Sequence, residues 1–289
     1  MNVLITGKDS YIGNSLKKHL ENSGYNVDVA DTYDNIWRET DFSKFDSVVH
    51  VAAIVHDSAK QASIELFEKV NTVLPTEIAK VAKNSGVKQF VFISTMGVYG
   101  VDKSLKHEQS VITEHTQTSP KSPYGKSKLD AECLLKQMSD ENFKVSVVRP
   151  PNVYGFGCKG NYISIFEKIS KLMLICPKAY TNIRQSMIYI DNLSELIKLI
   201  ISEQSDGIFM PQDEYAPNTV ELITAIRNIS GKKTIKSQVL GLFIRLLSCL
   251  PIVKKLYGGV MYDMSLSDCF ESRYKIVPFE KGIELTYKV

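Results

Sequence analysis

Two Tyr-x-x-x-Lys words stand in the sequence, Tyr99/Lys103 and Tyr124/Lys128. A phenol beside an ammonium is equipped for acid–base chemistry. The positive charge favours the phenolate and draws the tyrosine pKa from about 10 towards the working range of a proton donor or acceptor. Spacing alone does not separate the two words, but context does. Tyr99 precedes Gly100 in a loop-like stretch, where residues four apart share no face. Tyr124 follows Ser122-Pro123, a helix-start signature, so Tyr124 and Lys128 fall on one helical face. Ser94 and Thr95 end an apolar run one helix earlier, where a hydroxyl can hold a substrate oxygen beside the phenol.

A second chemistry is phosphate binding. Gly7-Lys8-Asp9-Ser10-Tyr11-Ile12-Gly13 follows the apolar run Val3–Thr6 and opens a helical pattern. Gly7 and Gly13 fit the outer positions of a G-x-x-G-x-x-G loop, whose bare backbone approaches a pyrophosphate at a helix N-terminus. Ser10 stands where the middle glycine belongs and narrows that approach. Asp31 comes roughly 20 residues on, at the end of the next apolar run, where a carboxylate can bond the adenosine ribose hydroxyls. Lys8 pulls the other way, towards the extra phosphate of NADP, so these two residues leave NAD and NADP both open.

The elements that must position these groups follow from the pattern of the 289 residues. With 44% hydrophobic and 23% charged residues, the composition is that of a globular protein. A net charge of +3 does not point to nucleic acid. Five scattered cysteines without a C-x-x-C pair argue against a disulfide framework and a zinc site, and the histidines support neither a metal site nor a triad. No N-terminal signal pattern precedes the first strand, so a reducing, cytoplasmic setting is expected. Strand-like runs at Val3–Thr6, Tyr25–Ala30, Ser47–Ala52, Gln89–Ser94 and Lys144–Val148 alternate with helical stretches, among them one over Ile64–Ser85 broken or bent near Pro75. Continuous apolar strands separated by helices predict a doubly wound, parallel, Rossmann-like α/β sheet. Residues 1–155 form this dinucleotide-binding domain. Residues 156–289 form a small C-terminal substrate-binding lobe, with 186–203 returning to the first domain. The apolar segment Val239–Val253 carries Arg245 and Pro251, too short and interrupted to span a membrane. It could lie on a membrane surface, and the favoured reading is a buried helix of the lobe.

Taken together, these words resemble the extended short-chain dehydrogenase/reductase superfamily in its nucleotide-sugar epimerase/dehydratase branch. They run in order along the chain: Thr6-Gly7…Ile12-Gly13, Asp46-Ser-Val-Val-His-Val-Ala52-Ala53, Val70-Asn71, Ser94-Thr95-Met-Gly-Val-Tyr-Gly100, Ser122-Pro-Tyr124-Gly-Lys-Ser-Lys128 and Arg149-Pro-Pro-Asn152-Val-Tyr-Gly155. The resemblance implies that Tyr124 is the acid/base, with Lys128 its partner and ribose ligand, and that Thr95 bonds the sugar oxygen. It places Tyr11, Ile12, Asp41, Phe42, Ala52, Ala53, Asn71 and Ser94 against the cofactor or in support of the site, and Asn152 and Arg184 on the substrate diphosphate. Arg184 precedes an apolar run returning to the first domain, a junction from which its planar fork can reach the cleft. Tyr11-Ile-Gly-Asn14, Ala52-Ala-Ile-Val-His56, Phe92-Ile-Ser-Thr-Met96 and Val148-Arg-Pro-Pro151 are similar, more narrowly, to capsule-biosynthesis 4-ketoreductases that form UDP-N-acetylfucosamine.

The leading expectation is therefore an NAD(P)-dependent reductase acting at C4 of a UDP-4-keto-6-deoxy-N-acetylhexosamine for surface polysaccharide. A UDP-hexose 4-epimerase is the alternative, and a non-catalytic dinucleotide sensor the third reading. Ser10 and a chain short for the epimerase branch tilt towards the reductase. The partner is a UDP-sugar rather than a nucleic acid, no segment spans a membrane, and a homodimer is possible. His50 reads as a core residue and His56 as a possible ligand contact. Trp37, Tyr154 and Tyr162 read as core aromatics able to stack on a uracil ring.

Overall fold

The computed structural model describes residues 1–55, 63–103, 105, 109–158, 161–172 and 174–287. His56 and the side chain of Tyr162 lie outside the described set. The chain runs β1 (Asn2–Thr6), α1 (Tyr11–Asn22), β2 (Asn26–Ala30), β3 (Ser47–His50), α2 (Ile64–Glu68), α3 (Leu74–Asn84), β4 (Gln89–Ile93), β5 (Ser110–Ile112), α4 (Pro123–Lys136) and β6 (Lys144–Val148). It continues through β7 (Asn152–Tyr154), α5 (Asn161–Leu172), β8 (Ile175–Pro177), β9 (Met187–Tyr189), α6 (Ile190–Ser202), β10 (Gly207–Phe209) and α7 (Thr219–Ile229). The last elements are β11 (Ile235–Ser237), α8 (Gln238–Leu246), α9 (Pro251–Tyr257), β12 (Val260–Tyr262) and α10 (Phe279–Tyr287).

Six parallel strands form one sheet in the order β10-β6-β4-β3-β1-β2. Both faces are covered, which is why the strands read as unbroken apolar runs. Val3, Ile5, Val49, Val91 and Ile93 face a core with Leu16 and Leu20 of α1 and Leu193, Leu196, Ile197 and Ile200 of α6. Leu4, Val48, Phe90 and Phe92 face the other side, against Ile78, Ala79, Ala131 and Leu135 of α3 and α4. Strand order reverses between β1 and β3, and ligands of such sheets bind at the strand C-termini beside that reversal. The later chain therefore contributes α6 and β10 to the first domain. The rest forms a lobe around Tyr154, Phe166, Ile183, Val220 and Phe279. Two-stranded parallel pairs β5/β12, β7/β9 and β8/β11 complete the architecture.

Two expectations need correction. The helix over residues 64–84 is continuous, and its irregularity is a π-helical turn at Lys69–Val73 directly before Pro75, the local widening by which an interior proline without an N–H is accommodated. The segment 239–253 is not a buried helix. It splits at Pro251 into α8 and α9, and α8 buries only Gly241. Among the described residues no helix is long and apolar enough to cross a membrane.

Candidate active site

A chamber of about 940 Å³ opens at the C-terminal ends of β1, β3 and β4. Gly7, Ser10, Tyr11, Ile12, Asp31, Ala52, Ala53, Ser94, Thr95, Tyr124 and Lys128 all line it. Gly7 has φ +125°, and a Cβ there would lie 2.7 Å from the Ala52 backbone nitrogen, so no other residue fits. Gly13 sits one layer below, where an added Cβ would be 3.1 Å from Val51 Cγ2. The Ser10 departure has its own logic. Its backbone is extended (φ −67°) and its Oγ accepts a hydrogen bond from the Gly13 N–H at 3.3 Å, capping α1. Asp31 accepts from the Tyr33 N–H at 2.9 Å, and its other oxygen lies 4.0 Å from Lys8 Nζ.

Tyr124 and Lys128 stand on α4, whose start is fixed by Ser122 Oγ accepting the Gly125 N–H at 3.0 Å and by Pro123 in its first turn. Lys128 is 1% exposed, donates from Nζ to the Ile93 carbonyl at 2.8 Å, and lies 4.4 Å above the Phe92 ring. Burial pushes it down to about 7, while the Glu132 carboxylate opposes that fall. The expectation that Lys128 draws the phenol down is corrected. Loss of solvation pushes Tyr124 up to about 12, and the group that opposes this is the hydrogen-bonded Thr95 hydroxyl. Thr95 Oγ1 also accepts from the Gly97 N–H at 3.1 Å, which fixes its position at the end of β4.

Asn71 does not line the chamber; it builds its wall. From the π turn, its Oδ1 accepts the Ile54 N–H at 2.9 Å, and its Nδ2 donates to the Ile54 carbonyl at 3.0 Å and to Ser127 Oγ at 3.1 Å. It thereby ties the loop after β3 to the helix carrying Tyr124. Asp41 and Phe42 also lie outside the lining. Asp41 accepts from Ser43 N at 3.2 Å, and Phe42 packs edge-on to Trp37 in the core at 6.3 Å. Trp37, Tyr154 and His50 are buried as well. Tyr154 donates to Asp213 at 2.8 Å, and burial holds His50 neutral, pushed down to about 3.

Beneath the site lies a network that no sequence word announced. Ser94 Oγ donates to Glu132, and Arg149 grips the same carboxylate through Nε at 3.1 Å and Nη2 at 2.5 Å. Arg149 Nη1 donates to the Tyr99 hydroxyl at 2.8 Å. The available signal was Glu132 one turn beyond Lys128 on a helix face already committed to the interior.

A second chamber of about 510 Å³ shares Thr95, Tyr124, Pro150 and Pro151 with the first, so Thr95 and Tyr124 stand at the junction. Asn152 and Gln185 line it; Arg184 lines neither chamber. The Arg184 guanidinium donates to the Ala216 carbonyl at 2.8 Å, pairs with Glu221 at 3.4 Å and lies 5.1 Å from the Tyr215 ring centre. Gln185, missed in the sequence, is buried, and its Oε1 has no hydrogen-bond partner among the described residues.

Comparison with known proteins gives a concordant picture. The model of a family described as "NAD dependent epimerase/dehydratase family" matches residues 3–207. A UDP-glucose 4-epimerase of Vibrio cholerae is 30% identical over 272 residues, covering 90% of this chain and 82% of that protein. A relative from Escherichia coli O157:H7, the N-acetyl-alpha-D-glucosaminyl-diphospho-ditrans,octacis-undecaprenol 4-epimerase, is 26% identical over 278 residues, covering 89% and 81%. Among solved structures, the UDP-glucose 4-epimerase of Thermus thermophilus in complex with NAD has a TM-score of 0.74 at 22% identity, covering 100% of this chain and 98% of the other. That likeness establishes the fold.

Proposed function

The chain belongs to the NAD dependent epimerase/dehydratase family, and from that membership we propose that it is an NAD-dependent 4-epimerase of a diphosphate-linked hexose, with a UDP-sugar as its soluble substrate. The observation that carries this reading is the position of Tyr124 and Thr95 at the junction of the two chambers. The larger chamber fits a dinucleotide: it opens at the start of α1, and Gly7, packed too closely on the Ala52 backbone to carry a Cβ, lines it with bare backbone. Asp31 and Lys128 are the groups placed to hold its two riboses, and the Asp31 carboxylate repels a 2′-phosphate, which favours NAD over NADP. When bound, NAD would supply the two-electron oxidant for C4 and return the electrons once the sugar has turned over.

Tyr124 takes the proton of the C4 hydroxyl and later gives it back. Thr95 orients that oxygen beside the phenol. Lys128, held by its bond to the Ile93 carbonyl, is placed for the cofactor ribose, and the Thr95 hydroxyl is the group that favours the phenolate against burial. Asn152 and Gln185 line the smaller chamber and give the sugar side its polar contacts. The reductase reading leaned on Ser10 in place of the middle glycine and on a short chain, and the cap that Ser10 makes by accepting from the Gly13 N–H gives that serine a structural reason of its own.

The test is incubation of purified protein with UDP-glucose or UDP-N-acetylglucosamine and no added reduced nicotinamide, with products separated by chromatography. Interconversion of C4 epimers is expected. No interconversion, with NADH or NADPH consumed on a 4-keto UDP-sugar, would replace this reading with the reductase. Inertness in both assays would favour the sensor.

A further inference from the structure

Residues 238–257 hold apolar side chains where an isolated globular chain has no use for them. On α8, Val239, Leu242, Phe243 and Leu246 recur at i, i+3, i+4 and i+7 and form one stripe; they are 63%, 63%, 58% and 77% exposed. Gly241 explains the orientation. A Cβ there would lie 2.2 Å from the Lys178 carbonyl oxygen, so the helix sits close on that backbone and turns its large side chains outward. Leu250 and Ile252 continue the exposed apolar run into α9, and the exposed Lys254 and Lys255 follow in its last turn. A helical face of this kind, edged by lysines, is the pattern of a segment lying at the boundary of lipid headgroups and acyl chains.

The stripe adjoins a route to the reacting pair. A chamber of about 960 Å³ is lined by Lys103, Tyr180, Cys249, Lys254 and Lys255. Asp102 and Lys103 border both this chamber and the smaller one holding Thr95, Tyr124 and Asn152. Gly258, just past α9, keeps them together, since a Cβ there would be 2.9 Å from Lys103 Cβ. Asp102 is engaged by Lys121 at 2.5 Å. Lys103, Lys254 and Lys255 line this chamber together, and burial and the Lys255 ammonium both push Lys103 below the ordinary lysine range. Such a chamber is complementary to a multivalent anion.

We propose, resting on the 4-epimerase reading, that α8 and α9 dock on an anionic bilayer and that the enzyme there acts on a hexose carried by a lipid diphosphate. The sugar would reach Tyr124, the diphosphate would lie between Lys103, Lys254 and Lys255, and the lipid chain would leave along the α8 stripe. A second copy of the chain is the competing occupant. Across a two-fold axis, however, the lysines edging this face would meet themselves, whereas an anionic surface complements them.

Flotation with vesicles of phosphatidylcholine alone, or mixed in equal parts with phosphatidylglycerol, tests the docking. Wild type should float with the anionic vesicles and be released by high salt. Leu242→Ser/Leu246→Ser should lower the bound fraction about tenfold and leave turnover of UDP-N-acetylglucosamine unchanged. In vesicles carrying polyprenyl-diphosphate N-acetylglucosamine, wild type should form the 4-epimer and the double variant should lose that rate in step with binding. Absence of flotation, or full activity of the double variant on the lipid-linked sugar, overturns the proposal. So does a dimer that the same substitutions split. Turnover of the UDP-sugar with the lipid-linked sugar untouched overturns the lipid carrier and leaves the epimerase reading standing; turnover of neither sinks both.

Discussion

The two Tyr-x-x-x-Lys words are identical in spacing and opposite in outcome. Tyr124 and Lys128 share one face of α4 and both line the large chamber. Tyr99 ends a 3₁₀ turn, is buried, and accepts from Arg149; Lys103 has moved away from it to the chamber beside α9. One word brings its two residues into one chamber because a helix holds them in register. The other is two unrelated residues, because a turn closed by Gly100 in the left-handed region (φ +60°) separates them. The spacing of a motif has chemical meaning only in the element that carries it.

The largest effect that tests this contrast is on turnover. Tyr124→Phe removes the proposed acid/base and should lower kcat by about two to four orders of magnitude, the range for losing acid/base help. Tyr99→Phe should stay near the wild-type rate. Steady-state kinetics of both variants on the same UDP-sugar decide the matter, and equal losses would mean that the helical word has been misassigned.

The second effect lies in stability, beneath the first word. Arg149→Met leaves the Glu132 carboxylate buried without its main partner, and breaking a buried pair from one side costs about 3–5 kcal/mol. Denaturant unfolding should register that loss. Arg149→Met/Glu132→Leu should recover much of it, because neither charge then remains buried. A single variant as stable as wild type would mean that Glu132 reaches water.

What could be read in advance, and what could not, follows from the range of the forces involved. Gly7, Gly13 and the Ser122-Pro123 helix start are legible because each meets a local backbone demand. The Glu132–Arg149 pair joins α4 to the end of β6, and nothing in either local pattern says that the two charges meet. Arg184 and Gln185 are adjacent in extended backbone, where successive side chains point to opposite sides. A one-residue offset therefore decides which of them enters the cleft. The α8 stripe is apolar and periodic, and periodicity reports a face without reporting what lies against it. Asn71 owes its reach to a π turn, whose extra residue no propensity announces.

A third, smaller effect separates the words again. Tyr99→Phe removes the acceptor for Arg149 Nη1, and a buried donor left unmatched costs about 1–3 kcal/mol. The Tyr99 hydroxyl also meets Met210 Sδ at 3.0 Å, a weak acceptor whose loss adds little. The melting temperature of Tyr99→Phe should therefore fall while its kinetics hold, the inverse of Tyr124→Phe, which keeps its ring packing. A Tyr99→Phe variant that is slow and fully stable would give the loop word a part in the chemistry.

The smallest effect is a slope with pH. Burial holds Lys128 down to about 7 in the folded protein, against about 10.5 for an unfolded lysine. Between those values the unfolded chain binds the extra proton. Stability from this group therefore rises with pH, by at most about 1.4 kcal/mol per unit. Lys128→Met carries no such proton, so its stability relative to wild type should decline steadily from pH 7.5 to 9.5. Other groups do not blur the comparison. Burial pushes His50 down to about 3, below the window, and Tyr124 up to about 12, above it. Lys103 shifts in the same direction as Lys128 but is present in both proteins, so it cancels in the difference. Paired urea titrations at each pH measure the difference directly. A flat difference would mean that Lys128 stays charged throughout, held by Glu132 and the Ile93 carbonyl more firmly than burial discharges it.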